Sequence, residues 1–81
     1  MSAHPIIDTD TVYVRLLDEG VDVWRPVPAV PLGDGVYELV APNGYDAEDE
    51  RWEFSPKSRV RCEPKTFSGG KLGLVAVASV D

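Results

Sequence analysis

His4 and Cys62 are each the only residue of their kind in the chain, and between them they are all the imidazole and thiol it has for a zinc site or a nucleophile–base pair. Nucleophilic catalysis needs a nucleophile with a base in reach, and structural zinc sites are built from four cysteines and histidines. His4 stands in MSAHPII, a stretch without strand or helix pattern, and reads as solvated. Cys62 alternates inward in RVRCE and reads as a buried, inert thiol. Asp46, Glu48, Asp49 and Glu50 crowd one short segment. They lack the ligand spacing and central glycine of a calcium loop, so a solvated acidic loop is expected there. Ser68-Gly69-Gly70-Lys71 resembles the end of a phosphate loop, but Lys65 stands where the first glycine belongs and Leu72 where the magnesium-binding hydroxyl belongs. A glycine-rich hairpin loop accounts for it. No catalytic residue, metal site or cofactor is expected, and the chain reads as non-enzymatic.

What remains is surface chemistry. The net charge of −6 is unevenly spread: residues 1–50 hold eleven acids and two bases, −9, and residues 51–81 hold six bases and three acids, +3. Arg59 and Arg61 point outward from one expected strand, with Arg51, Lys57 and Lys65 near in sequence, which sets up a basic strip. Such a strip can meet phosphate, an acidic partner, or the acids of the same molecule. The overall acid excess weighs against nucleic acid, whose binders gain affinity by neutralising phosphates. Trp24, Tyr37 and Tyr45 supply a candidate aromatic groove for a protein ligand, since ring faces attract cations and apolar side chains. The −9 of the first half also suits an acidic antagonist of a basic partner.

The elements that must position these groups are short. The 81 residues make one domain with a modest core, and seven aromatic residues with a hydrophobic share of 43% suffice to fold it. A lone cysteine and no signal-peptide pattern point to the cytoplasm, and no apolar run approaches the roughly 20 residues of a membrane span. Residues 1–9 read as a tail or arm ahead of a domain over 10–81. TVYVRLL alternates, with Val12, Val14 and Leu16 on one face. Gly20 closes a turn, residues 22–32 form a second strand, and Gly33-Asp34-Gly35 turns into VYELVA, where Tyr37, Leu39 and Ala41 share a face. RWEF, RVRCE and LGLVAVASV follow, the last apolar on both faces and therefore central or wrapped on both sides. No helical stripe occurs, and seven prolines and seven glycines punctuate the chain. The fold class is all-β, a small, partly open barrel of five to six strands.

RPVPAVP, residues 25–31, has the Arg25-x-x-Pro28-x-x-Pro31 spacing of a polyproline ligand for an SH3 domain, yet it lies between alternating segments. Backbone groups of residues i and i+2 face the same neighbour, so Pro26 and Pro28 lose donors on one side only. The stretch is therefore expected as a strand whose proline side lacks a regular ladder partner. VYVRLLDEGVDVWRPVPAVPLGDGVYELV followed by WEFSPKSRVRCE resembles a group of small bacterial SH3-like barrel proteins without an assigned activity. More distantly it resembles Tudor-type barrels, where a tryptophan strand, a glycine turn and a tyrosine strand occur together. The resemblance implies an SH3-like barrel and carries no catalytic residue. The expected function is a binding module that meets another protein through Trp24, Tyr37 and Tyr45. The alternatives are a nucleic-acid-binding accessory barrel using Arg51, Lys57, Arg59, Arg61 and Lys65, and the acidic antagonist. Oligomeric state is left open.

Overall fold

The computed structural model describes residues 9–18 and 23–80. The expected arm with His4 and the turn at Gly20 lie outside them. Five strands follow in chain order, β1 Asp10–Arg15, β2 Trp24–Gly33, β3 Val36–Leu39, β4 Arg59–Thr66 and β5 Leu72–Ser79, with a single 3-10 turn at Ser68–Gly70. Each strand pairs antiparallel with the next. A five-strand meander reverses direction four times, so β1 and β5 run the same way. The ladder that closes the sheet into a ring is accordingly parallel, Val12 opposite Leu74 and Tyr13 opposite Val75.

Alternation fills the interior. Val12 and Val14 from β1, Val27 and Ala29 from β2, Leu39 from β3, Val60 and Cys62 from β4 and Ala76 from β5 point inward, and Trp52 closes one side. On β5 the neighbours Val75 and Ala76 are both buried, yet only Ala76 belongs to the core cluster. Consecutive strand residues face opposite ways, so β5 is covered on both faces at Val75 and Ala76, while Leu72 and Val77 towards its ends are exposed.

The proline strand behaves as strand geometry requires. The Leu16 amide donates to the Val23 carbonyl at 2.9 Å and the Val40 amide to the Pro28 carbonyl at 3.0 Å. Val23, Arg25, Val27 and Ala29 thus face β1, and Pro26 and Pro28 face the other way. On that side the β3 ladder begins only at Ala29, opposite Leu39. Pro26 gives up no ladder bond there, whereas Pro28 accepts from Val40 just past the end of β3 and lacks only the reciprocal donor, so the side is open at Pro26 and half-paired at Pro28. Asp34 and Gly35 both take positive φ, 57° and 77°, as a two-residue type I′ hairpin between β2 and β3 demands.

Three strand expectations are corrected. RWEF is not a strand: Trp52 makes one isolated bridge to Leu16, flanked by amide-to-carbonyl bonds from Leu17 to Arg51 at 2.7 Å and from Glu53 to Arg15 at 2.8 Å. The chain bends at Glu53 and Phe54, so the contact ends after one residue pair. VYELVA stops at Leu39, ahead of Ala41 and Pro42, and Ala41 is exposed. In the opposite sense β4 runs past the expected RVRCE to Thr66 and takes Pro64 within it.

Candidate functional site

Where β4 passes Pro64, its outward residues continue the alternation of Arg59 and Arg61 through Glu63 and Lys65. The Phe67 amide then donates to the Lys71 carbonyl at 2.7 Å, which carries the same facing to Phe67. Tyr13, between buried Val12 and Val14, also points outward, as does Trp24, its diagonal neighbour opposite Arg15. These side chains meet. The Tyr13 and Phe67 rings stand 4.8 Å apart between centroids at 50°, and Trp24 meets Phe67 at 6.2 Å and 75°, edge to face. The Lys65 ammonium sits 5.9 Å from the Trp24 ring centre and 6.0 Å from that of Phe67, at the outer limit of a cation–π contact. The result is a three-ring patch on the face of the sheet turned away from the core.

Gly73 makes the patch possible. A Cβ there would lie 2.9 Å from Phe67 Cε2 and 2.9 Å from Tyr13 Cε1. The absent side chain lets both rings lie down on β5. Val75, opposite Tyr13 in the closing ladder, faces the same side and is only 5% exposed.

The three aromatic residues expected in one groove do not share a face. Register places Tyr37 opposite Pro31, on the inward side with Ala29 and Leu39, whereas Trp24 is outward. Tyr37 and Tyr45 pack against the core, and Tyr45 meets Trp52 at 4.9 Å and 63°. Among the described residues, no ring contact joins Trp24 to either tyrosine. Phe67 and Tyr13, which join Trp24 instead, escape a sequence reading that ends the fourth strand before Pro64. Gly73 inside an otherwise large-residue strand is the signal that reveals them, because a strand glycine marks close approach.

The five basic residues separate by role. Arg51 Nη1 donates to Asp18 Oδ2 at 3.0 Å. Lys57 occupies a turn with φ 73° and bonds its amide to the Leu39 carbonyl. Arg59, Arg61 and Lys65 remain in line on the outward face of β4, with Glu63 among them and Glu38 opposite Arg59.

The acidic loop folds on itself and onto the side of the ring. Asp46 accepts the Glu48 amide through its side chain at 2.8 Å and the Asp49 and Glu50 amides through its carbonyl. Glu50 Oε1 accepts both Trp52 Nε1 at 2.7 Å and Arg25 Nε at 3.0 Å. The indole bond first, and the guanidinium next, hold the Glu50 carboxyl below its ordinary range against the opposing effect of burial. Among the described residues no three of His, Cys, Asp and Glu converge as metal ligands would, and no helix is long and apolar enough to cross a membrane. Burial pushes the Cys62 thiol up to about 11, which leaves it protonated and unreactive near neutrality.

Comparison of the chain with protein-family models, with curated proteins and with solved structures gives no match.

Proposed function

We propose that the protein is a non-enzymatic interaction module, an SH3-like barrel of the kind its sequence resembles, that binds another protein through the patch of Tyr13, Trp24 and Phe67. One observation carries the reading. Three half-buried aromatic rings are clustered outside the core, and a strand glycine leaves the room in which two of them, Tyr13 and Phe67, lie. Aromatic residues that complete an interior need no such arrangement, and rigid rings with large contact area are what protein interfaces concentrate. Trp24 keeps the recognition role expected of it, while Tyr37 and Tyr45 support the wall behind. The test is selection from a displayed peptide library against the folded protein. Enrichment that disappears with Trp24→Ala and Phe67→Ala supports the reading, and absence of any enriched peptide sinks it.

A nucleic-acid reading rests on a different observation, the line of Arg59, Arg61 and Lys65 on one outward face, none within ion-pair distance of an acid among the described residues. A phosphate binder must weaken steeply with salt. A salt series with single-stranded DNA and RNA that shows no binding at low ionic strength excludes it.

A further inference from the structure

Three strands carry their core-facing rows one residue beyond the core, and at that end the ring stands open. On β1 the row of Val14 and Val12 continues to Asp10, opposite buried Ala29. On β4 the row of Val60 and Cys62 continues to Pro64, and on β5 the row of Ala76 and Leu74 continues to Leu72. β3 does not cover this end. The β2–β3 hairpin turns level with Cys62, whose amide donates to the Gly35 carbonyl at 2.9 Å, and the ladder between β3 and β4 stops at Arg61. The result is an open groove of about 430 Å³, with Thr11 and Gly73 completing its lining. Tyr13 alternates with Val12 and Val14, so the aromatic patch lies on the opposite face of the sheet.

Pro64, Leu72 and Leu74 give the groove an apolar wall, in which Leu72 is 67% exposed, the most exposed large apolar side chain among the described residues. Asp10 is the one charged residue of the lining. Among the described residues no cation stands within ion-pair distance of it, and Lys65 and Lys71 belong to the outward face. An apolar wall that ends in an unpaired carboxylate complements a side chain with an apolar stem and a cationic head. Arginine has both, and its planar guanidinium can meet a carboxylate through two parallel hydrogen bonds. The field of the whole chain acts in the same sense, with a net charge of −6 and eleven acids against two bases in residues 1–50. We propose that this groove receives an arginine side chain from a basic protein partner, its stem along Leu72 and Leu74 and its guanidinium on Asp10. The site is separate from the outer patch and does not depend on it.

The test is NMR titration of the intact protein with acetyl-Leu-Arg-Leu-amide, with the same peptide carrying citrulline for arginine, and with acetyl-Leu-Glu-Leu-amide. Citrulline keeps the stem and the planar head without the charge. The arginine peptide is expected to shift the Leu72 and Leu74 methyl resonances and the Thr11 amide, and to leave the Trp24 indole of the outer patch in place. The citrulline peptide should bind about fivefold more weakly, the upper end for one surface ion pair, and the glutamate peptide should not bind. Asp10→Asn should lower the arginine peptide to the affinity of its citrulline counterpart, and Leu72→Ser should abolish both. Both residues are exposed, so neither change disturbs the core. Equal affinity for the arginine and citrulline peptides, or undiminished binding to Asp10→Asn, overturns the proposal. Shifts confined to the Trp24 indole overturn it too, and assign the peptide to the patch. The competing occupant is the chain's own start. If Ile6→Ser with Ile7→Ser moves the Leu72 and Leu74 methyls while the arginine peptide moves them in neither protein, the groove belongs to the chain's own first residues and the partner is excluded.

Discussion

Gly73 and Glu50 each hold a structure that no neighbouring residue can replace. An alanine at 73 gains about 0.5–1 kcal/mol of backbone entropy relative to glycine, but its Cβ meets two rings at 2.9 Å. Those rings lie against each other, so neither retreats freely, and overpacking of this kind costs about 1–3 kcal/mol. The clash wins. Gly73→Ala is expected to lower the melting temperature by about 5 °C, and in a Phe67→Ala background the same change should lose most of that penalty; equal effects in the two backgrounds would contradict the packing. Glu50 acts through charge. Its carboxyl titrates below the ordinary value because the Trp52 indole and then Arg25 bind the ionised form. A carboxyl depressed in the folded state stabilises fully above its unfolded pKa, and that contribution fades as pH falls through the folded value. Glu50→Gln should therefore be less stable than the parent at pH 7, with the difference shrinking in acid. Denaturant melts at neutral pH and below the carboxylate range measure it, and a difference independent of pH refutes it.

The strands show how proline can serve a sheet. Pro26 turns its nitrogen to the side of β2 where no strand runs, Pro28 accepts from Val40 at the end of the β3 ladder without donating in return, and Pro64 faces an open side on β4. There the Cys62 amide reaches the Gly35 carbonyl at 2.9 Å, and two residues further β3 is no longer alongside. Both open edges thus lack the donors that would template a second chain. Replacing Pro26, Pro28 and Pro64 by alanine is expected to keep the fold and raise self-association, read by sedimentation at increasing concentration; a triple variant as monomeric as the parent would deny the prolines that role. This logic also separates what the sequence discloses from what it hides. Alternation reveals β1 and β2, the apolar run reveals β5 with its doubly covered middle, and side-specific donor loss identifies the proline stretch as wall. The same rule applied to Pro64 extends β4, but proline in RVRCEPKT reads as a terminator unless the open side is known, and that depends on where β3 stops. The site was less legible for the same reason. Trp24 and Tyr37 fall on opposite faces because register, which sequence spacing does not fix across a hairpin, pairs Tyr37 with Pro31. Phe67 joins the outward patch only once β4 is long enough to carry its alternation that far.

At the scale of the whole molecule, the ring is uneven. From β4 to β5 the ladder runs through seven residue pairs, whereas two close the ring between β5 and β1. Beyond Tyr13, the bridge from Leu16 to Trp52 takes over the same edge of β1. A parallel ladder is also slightly weaker per residue than an antiparallel one. The seam is held instead by side chains, with Val12 and Leu74 beneath it and the Tyr13 ring above, lying on Gly73 and against Phe67. Local opening follows the region with fewest backbone pairs, so the seam should open before the β2–β3 and β4–β5 ladders. Tyr13→Ala removes the outer cover of a half-buried ring and is expected to cost about 2 kcal/mol, below the range for a fully buried aromatic. Hydrogen exchange locates the loss. Amides of β1 and of Leu74 and Val75 should exchange faster in the variant, while those of the β2–β3 hairpin keep their protection under conditions where exchange proceeds by local opening. Uniform acceleration across all five strands would instead show that the ring melts as one unit and that Tyr13 contributes only to its global stability.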